Sequence, residues 1–253
     1  MLEGRVSIEA TLAAGVRPVL EILATEPGDR RLSYLRRAAA AADVPIRRVT
    51  LDDLRRYATG TTHGGVIAVA GERSYLSIAE LLGEAHAPAL AVMLDGVEDP
   101  YNYGQAVRSV YAAGADGLIV RERSWEHAAG IVARASAGAS ELLPTAMATS
   151  AEEAADACRT AGLTVACATT RADATWLHEA DLTVPLLLIV GGERRGITRS
   201  FLDEADLLLR IPYGRRGAHA LGAATSAALI AFEALRQRRT AGIGPADAGV
   251  PNA

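Results

Sequence analysis

The sequence predicts an α/β protein in two units, a small α/β unit in front and a larger parallel-sheet unit behind it. Three observations lead there. Leu186-Leu187-Leu188-Ile189-Val190 and Ala89-Leu90-Ala91-Val92-Met93-Leu94 are unbroken apolar runs. A run so short, with no polar face, reads as a strand covered by helices on both sides. Helix-like stretches alternate with these and other short runs, the pattern of right-handed crossovers in a parallel sheet. Finally, glycine-bearing loops follow two of the late strands, which is where an open α/β sheet binds a ligand. The same glycines equally serve tight turns.

Taken in order, residues 1–75 make the front unit. Residues 4–14 read as a helix on Val6, Ile8 and Leu12, and 18–24 as a strand. An alanine-rich helix over 30–42, a strand over 46–49 and a short helix over 51–57 follow. Thr61-Thr62-His63-Gly64-Gly65 is a turn feeding a strand that ends near Ala70. Arginine pairs at 30/31, 36/37, 47/48 and 55/56 read as a solvated helix surface, with an RNA-facing surface as the alternative. Residues 76–88 carry a helix-like Ile78-Ala79-Glu80-Leu81-Leu82 and are expected to link the units.

The second unit spans 89–240. Its first strand ends at Asp95-Gly96, and a polar turn from Asp99 enters a helix bearing Arg108. A strand over 117–120, helices over 125–135 and 152–161 and a strand over 164–168 lead to the Leu186 run. Gly191-Gly192-Glu193-Arg194-Arg195-Gly196 then turns into a helix with an apolar face at Ile197, Phe201, Leu202 and Ala205. A strand over 207–211 stops at Pro212, and a long helix over 221–238 is apolar nearly all round at Leu221, Ala224, Leu229, Ile230, Phe232 and Leu235. That fits burial on two sides. Residues 241–253, rich in Gly, Pro and Ala, are expected to be a disordered tail.

Composition narrows the class. The chain has 253 residues, 50% of them apolar and only 4% aromatic, enough for a real core. No apolar stretch approaches a membrane span, and the N-terminus lacks signal-peptide features. Cys158 and Cys167 have no metal-ligand spacing and read as structural thiols of a reducing, cytoplasmic protein. The net charge of −4 argues against nonspecific coating of nucleic acid. All 26 basic residues are arginine, so lysine chemistry is excluded and any phosphate contact falls to arginine. A dinucleotide fingerprint after the first strand and a P-loop are both absent.

The spacing Asp99-Pro100-x-Asn102-x-Gly104-x-x-x-Arg108, followed by Gly114, resembles the first signature of the SpoU/TrmH group of SPOUT RNA methyltransferases. Gly191-x-Glu193-x-x-Gly196 is similar to the second. Ile211-Pro212, then Leu221 and the helix ending Phe232-Glu233-Ala234-Leu235-Arg236-Gln237-Arg238, resembles the third, and Ser136-Ala137-Gly138-Ala139 also recurs at the matching place. The front unit, including its Thr62-His63-Gly64-Gly65-Val66 turn, resembles the L30e-like substrate-binding domain that many members carry. The resemblance covers roughly residues 3–240.

The resemblance implies a deep trefoil knot in the second unit and S-adenosyl-L-methionine as cofactor. It places the methyl donor against Gly191, Gly192, Gly196, Ile211 and Leu221. It also implies a homodimer through the last helix, and 2′-O-methylation of structured RNA, ribosomal rather than transfer RNA. It assigns the catalytic positions to Arg108, Asn102 and Glu193. An arginine keeps its proton in proteins, so Arg108 suits a phosphate clamp and a charge stabiliser better than a general base. Asn102 would shape the turn and offer a hydrogen bond, and Glu193 would orient Arg108 or its loop. Neither a membrane nor a metal is implied. The chain departs from the family at Ala220-Leu221-Gly222-Ala223-Ala224-Thr225-Ser226, where many members read Ser-Leu-Asn-x-Ser. His219, Thr225 or Ser226 would have to substitute, which keeps open a catalytically silent RNA-binding or assembly protein.

Overall fold

The computed structural model describes residues 1–58, 63–121, 128–192, 196–215 and 220–244. The front unit comprises β1 (Leu2–Glu3), α1 (Arg5–Ala14), β2 (Val19–Ala24), α2 (Ser33–Ala41), β3 (Ile46–Arg48), α3 (Leu51–Tyr57) and β4 (Val66–Ala70). Its four strands lie in the order β1-β4-β2-β3, with β4 antiparallel to β1 and β2 while β3 runs parallel to β2. The two-residue β1 had no sequence signal, because two residues carry no periodicity. Residues 30–32, expected as helix, form a tighter 3-10 turn whose Arg31 amide donates to the Asp29 carboxylate. Thr50 and Asp53 close a reciprocal capping box on α3. The threonines of the expected turn before Gly64 lie outside the described residues.

The second unit continues with α4 (Ile78–Gly83), β5 (Leu90–Asp95), α5 (Pro100–Ala112), β6 (Gly117–Arg121), α6 (Ala129–Ala135), α7 (Ala139–Leu142), β7 (Thr145–Ala148), α8 (Ala151–Thr160), β8 (Thr164–Ala168), β9 (Thr175–Trp176), β10 (Leu186–Gly191), α9 (Arg199–Glu204), β11 (Leu207–Arg210) and α10 (Ala223–Thr240). Seven strands form one sheet, ordered β7-β6-β5-β10-β8-β11-β9, with every pairing parallel. The two apolar runs sit side by side at its centre. Side chains alternate across a strand, so Leu90, Val92 and Leu94 enter one core with Leu186, Leu188 and Val190. Ala91, Met93, Leu187 and Ile189 enter the other. The short α7, β7 and β9 were not expected, since each is too brief to show a period. Residues 122–127, which include the expected helix start at residue 125, lie outside the described residues, and α6 begins at Ala129.

Residues 76–88, expected to link the units, pack on the second of them. Leu76 bridges Ala146 beside β7, and Ile78 and Leu81 are buried in the second unit's core. Leu81 packs so closely that a Cβ on Gly117 would lie 2.5 Å from its Cδ2. The apolar half of this short helix needed cover, and the sheet face supplied it.

The two units meet along small residues. A Cβ on Gly138 would stand 2.5 Å from the Ala10 Cβ, and one on Gly130 2.5 Å from the Met1 carbonyl oxygen. Ala133 of α6 belongs to the front unit's core. Buried charge reinforces this contact: Arg134 pairs with Glu3, and Arg17 with Glu141.

Helix α10 buries Ala223, Ala227, Ile230, Ala231 and Ala234 and packs on α5. Its opposite face leaves Leu229 and Phe232 exposed, so among the described residues only one side of the helix is covered. Arg238, 3% exposed, is the anchor that sequence reading missed. Its guanidinium donates to the carbonyls of Leu182, Pro88, Ala89 and Val184 at 2.8–3.1 Å. These carbonyls flank the starts of β5 and β10, so one side chain ties the helix to both central strands. Arg238→Met should therefore strand buried carbonyls and lower stability by about 3 kcal/mol, read as a shifted urea midpoint.

Residues 241–244, expected to belong to the tail, close the last helix. Gly242 is left-handed at φ 72°, its N–H donating to the Arg239 carbonyl and that of Ile243 to Arg238, which closes α10 with a Schellman turn. Residues 245–253 lie outside the described residues. Among the described residues no helix is long and apolar enough to cross a membrane.

Candidate functional site

Helix α5 carries the first group of expected site residues. Asp99 is its N-cap, accepting from the Asn102 amide at 2.8 Å, and Pro100 occupies the first turn, where a missing N–H costs nothing. Asn102 is half-buried in that first turn. Gly104 faces α6, and a Cβ there would lie 2.6 Å from the Ala135 Cβ and 2.9 Å from the Val132 carbonyl oxygen. Glycine at this position therefore sets how closely the two helices approach. Arg108 is exposed one turn further on and makes no ion pair or hydrogen bond with any described residue.

The loop after β10 lies against the turn after β5. Gly192 donates to the Asp95 carbonyl at 2.7 Å, and a Cβ on Gly192 would sit 1.9 Å from the Gly96 oxygen. Gly196 is left-handed at φ 59° and closes its loop by donating to the Gly192 carbonyl at 2.9 Å. Gly191 stands at the entrance to this loop. It is the last residue of β10, with no positive φ, and a Cβ there would meet the Ile197 amide at 2.7 Å and the Gly196 backbone at 2.8 Å. The close approach at Gly191 is thus to its own loop's return. Glu193 lies outside the described residues.

The third loop runs from β11 to α10. Ile211 is half-buried at its start and Leu221, 38% exposed, precedes the helix. The Leu221 amide donates to the Tyr213 hydroxyl at 3.0 Å, drawing the two ends of the loop together. The helix begins at Ala223, two residues later than expected. Gly222 is its N-cap and has no side chain to cap the first turn. Thr225 is exposed and Ser226 half-buried within that turn, while His219 lies outside the described residues. Across the sheet, Arg121 holds the Asp95 carboxylate at 3.0 Å.

Other candidate chemistry is quiet. Cys158 and Cys167 are free and buried, and burial pushes their thiols up to about 11 and about 12, away from reactive thiolate. Among the described residues no group of three or more His, Cys, Asp or Glu side chains is placed to hold a metal ion.

Residues 89–232 match the SpoU rRNA Methylase family, and residues 1–76 match the RNA 2′-O ribose methyltransferase substrate-binding family. The chain belongs to the SpoU family of RNA methyltransferases. An uncharacterized tRNA/rRNA methyltransferase of Mycolicibacterium vanbaalenii is 32% identical over 242 residues, covering 94% of this chain and 76% of that protein. The 23S rRNA (guanosine-2′-O-)-methyltransferase RlmB of Pseudomonas putida is 28% identical, covering 92% and 94%. Among solved structures, an RNA 2′-O ribose methyltransferase aligns at TM-score 0.77 with 30% identity, covering 94% of this chain and 88% of that one. An AdoMet-bound rRNA methyltransferase from Sinorhizobium meliloti aligns at 0.75 with 25% identity, covering 94% and 86%. These SpoU relatives share the parallel-sheet α/β fold.

Proposed function

We propose that this protein transfers a methyl group from S-adenosyl-L-methionine to a ribose 2′-hydroxyl of ribosomal RNA. The observation that carries the reading is the contact of two glycine-built loops beside a helix that presents an arginine unpaired among the described residues. Gly192 lies against Gly96, and α5, with Arg108 exposed, packs on α10 at the end of the third loop. The 2′-hydroxyl specificity and the ribosomal substrate are supported by the relatives named for those activities.

The loops fit the donor chemically. Half-covered Ile211 and the exposed Leu221 offer apolar surface for an adenine ring, while the loops around Gly191, Gly192 and Gly196 bring backbone amides and carbonyls alongside. When bound, S-adenosylmethionine supplies a methyl carbon that is already electrophilic. Transfer would require the chain to hold a ribose oxygen in line with that carbon and to leave the hydroxyl proton a path to solvent or a nearby base. The protein's part is alignment and charge. Arg108 grips an RNA phosphate and steadies negative charge growing on the oxygen. Asn102 holds the first turn of α5, and Glu193 orients the loop that carries it.

In this reading the loops after β5, β10 and β11 form the trefoil knot, the front unit is L30e-like and holds RNA, and the chain is a homodimer. The exposed Leu229 and Phe232 face of α10 supports the dimer. The altered stretch from Ala220 to Ser226 favours one competing reading, a silent RNA-binding protein on the same fold. Calorimetry with S-adenosylmethionine separates the two. The enzyme should bind it with roughly micromolar affinity, about −8 kcal/mol, and a titration without heat would sink the enzymatic reading.

A further inference from the structure

Four of the five buried side-chain polar atoms that lack a hydrogen bond among the described residues gather in one place: Arg17 Nε, Arg73 Nε, Ser140 Oγ and Glu141 Oε2. All four residues line a cavity of about 580 Å³ at the seam between the two units. Arg17 Nε stands 2.9 Å from Glu141 Oε2, close enough for an ion pair, yet neither atom is aligned for a hydrogen bond. Buried polar groups are nearly always satisfied, and a cluster of exceptions calls for a partner.

We propose that this seam cavity takes one unstacked base of the RNA substrate. The inference rests on the reading that the chain acts on RNA, and adds a second site to it. The groups are mixed: the Arg73 Nε–H donor and the Ser140 hydroxyl have no partner among the described residues, and Glu141 Oε2 has its ion pair with Arg17 Nε. A phosphate, which only accepts at these positions, would leave Glu141 opposed. A nucleobase edge sets a ring or carbonyl acceptor beside an N–H donor, and so answers both kinds of group at once. The walls suit a flat ring, since Tyr75 and Tyr103 line the cavity. Tyr75 is exposed and lies 5.7 Å from the Arg73 guanidinium, the sort of aromatic–arginine surface on which unpaired bases stack. The four atoms are closed to solvent, so a base reaches them only as Ser140 and Glu141 turn about their side-chain bonds, Glu141 giving up part of its pairing with Arg17 and Arg73. The location also fits. Tyr103 and Val120 border a second, small cavity formed by the Asp95-Gly96-Val97 turn, and that turn touches Gly192 of the donor-side loop. A base held at the seam is therefore one that flanks the methylated nucleotide.

The test uses the full chain, the four nucleoside 5′-monophosphates in calorimetry, and a labelled single-stranded random-sequence RNA hexamer in anisotropy. At least one monophosphate should bind the wild-type protein and be displaced by the hexamer. Ser140→Ala removes a hydroxyl that has no partner, so it should leave the melting temperature unchanged while weakening that monophosphate about fivefold. Tyr75→Ala should weaken it at least as much through lost stacking. No monophosphate binding, or equal binding in all three proteins, would mean that the cavity holds water alone and would overturn the proposal. Monophosphate binding that the hexamer does not displace would overturn it too, marking a free-nucleotide site. S-adenosylmethionine binding and methyl incorporation into total RNA at saturating RNA are measured in parallel. Their loss in the wild-type protein would count against the enzymatic reading, whereas their persistence beside a failed monophosphate assay would count against the seam site alone.

Discussion

Arg108→Ala should cut methyl transfer by about a hundredfold or more while donor affinity stays the same, as losses of a single charge-stabilising donor usually do. The structure sharpens this expectation on the stability side. Arg108 is exposed and has no partner among the described residues, so truncating it strands nothing and should move stability by less than about 0.5 kcal/mol. Arg108→Lys should recover little, because an ammonium does not reproduce the planar fork that grips a phosphate. A general base at this position predicts otherwise, with lysine restoring part of the rate and the pH profile shifted lower. Single-turnover rates for the three proteins decide between them. Turnover that hardly changes in Arg108→Ala would make the residue peripheral and move the search for the catalytic group to His219 and Thr225.

Gly192→Ala should be the most disruptive single methyl group in the second unit. Its Cβ would lie 1.9 Å from the Gly96 oxygen and 2.4 Å from the Gly96 carbonyl carbon. Both obstacles are backbone, so no side chain can rotate away, and the hydrogen bond from Gly192 to Asp95 is forced apart with them. A loss of about 3 kcal/mol or more is expected, at the upper end for overpacking, together with loss of donor binding. Two glycines serve as controls. Gly196→Ala meets no atom within 4 Å but must hold φ at 59°, costing about 1 kcal/mol. Gly28→Ala meets neither obstacle and should be neutral within about 0.5 kcal/mol. A Gly192→Ala protein as stable as wild type would refute the backbone contact between the two loops.

Gly191 shows how far sequence reading reaches. Its place after an apolar run identified a loop at the carboxyl end of a strand, and the loop is there. What the run did not show is which atoms exclude a side chain there, and they belong to Gly196 and Ile197. A test built on Gly191→Val would therefore disturb the loop itself, which makes Arg108 the cleaner probe. The packing of residues 76–88 was hidden for a related cause. Ile78 and Leu81 carried the helix signal correctly, but which surface would cover them depended on where the sheet came to lie.

The sequence by itself determined the two α/β units, the central strands, the helix that presents Asn102 and Arg108, and the family signatures. Each of these is written in neighbouring residues: an apolar run, an Asp-Pro cap, a glycine at fixed spacing. Only the tertiary structure decided that Arg238 would bind carbonyls at the start of two strands, that Gly192 would meet Gly96, and that Arg17 and Arg73 would converge on Glu141. Those contacts join positions far apart in the chain. Their partners are set by strand register and helix packing, which no local pattern of residues encodes.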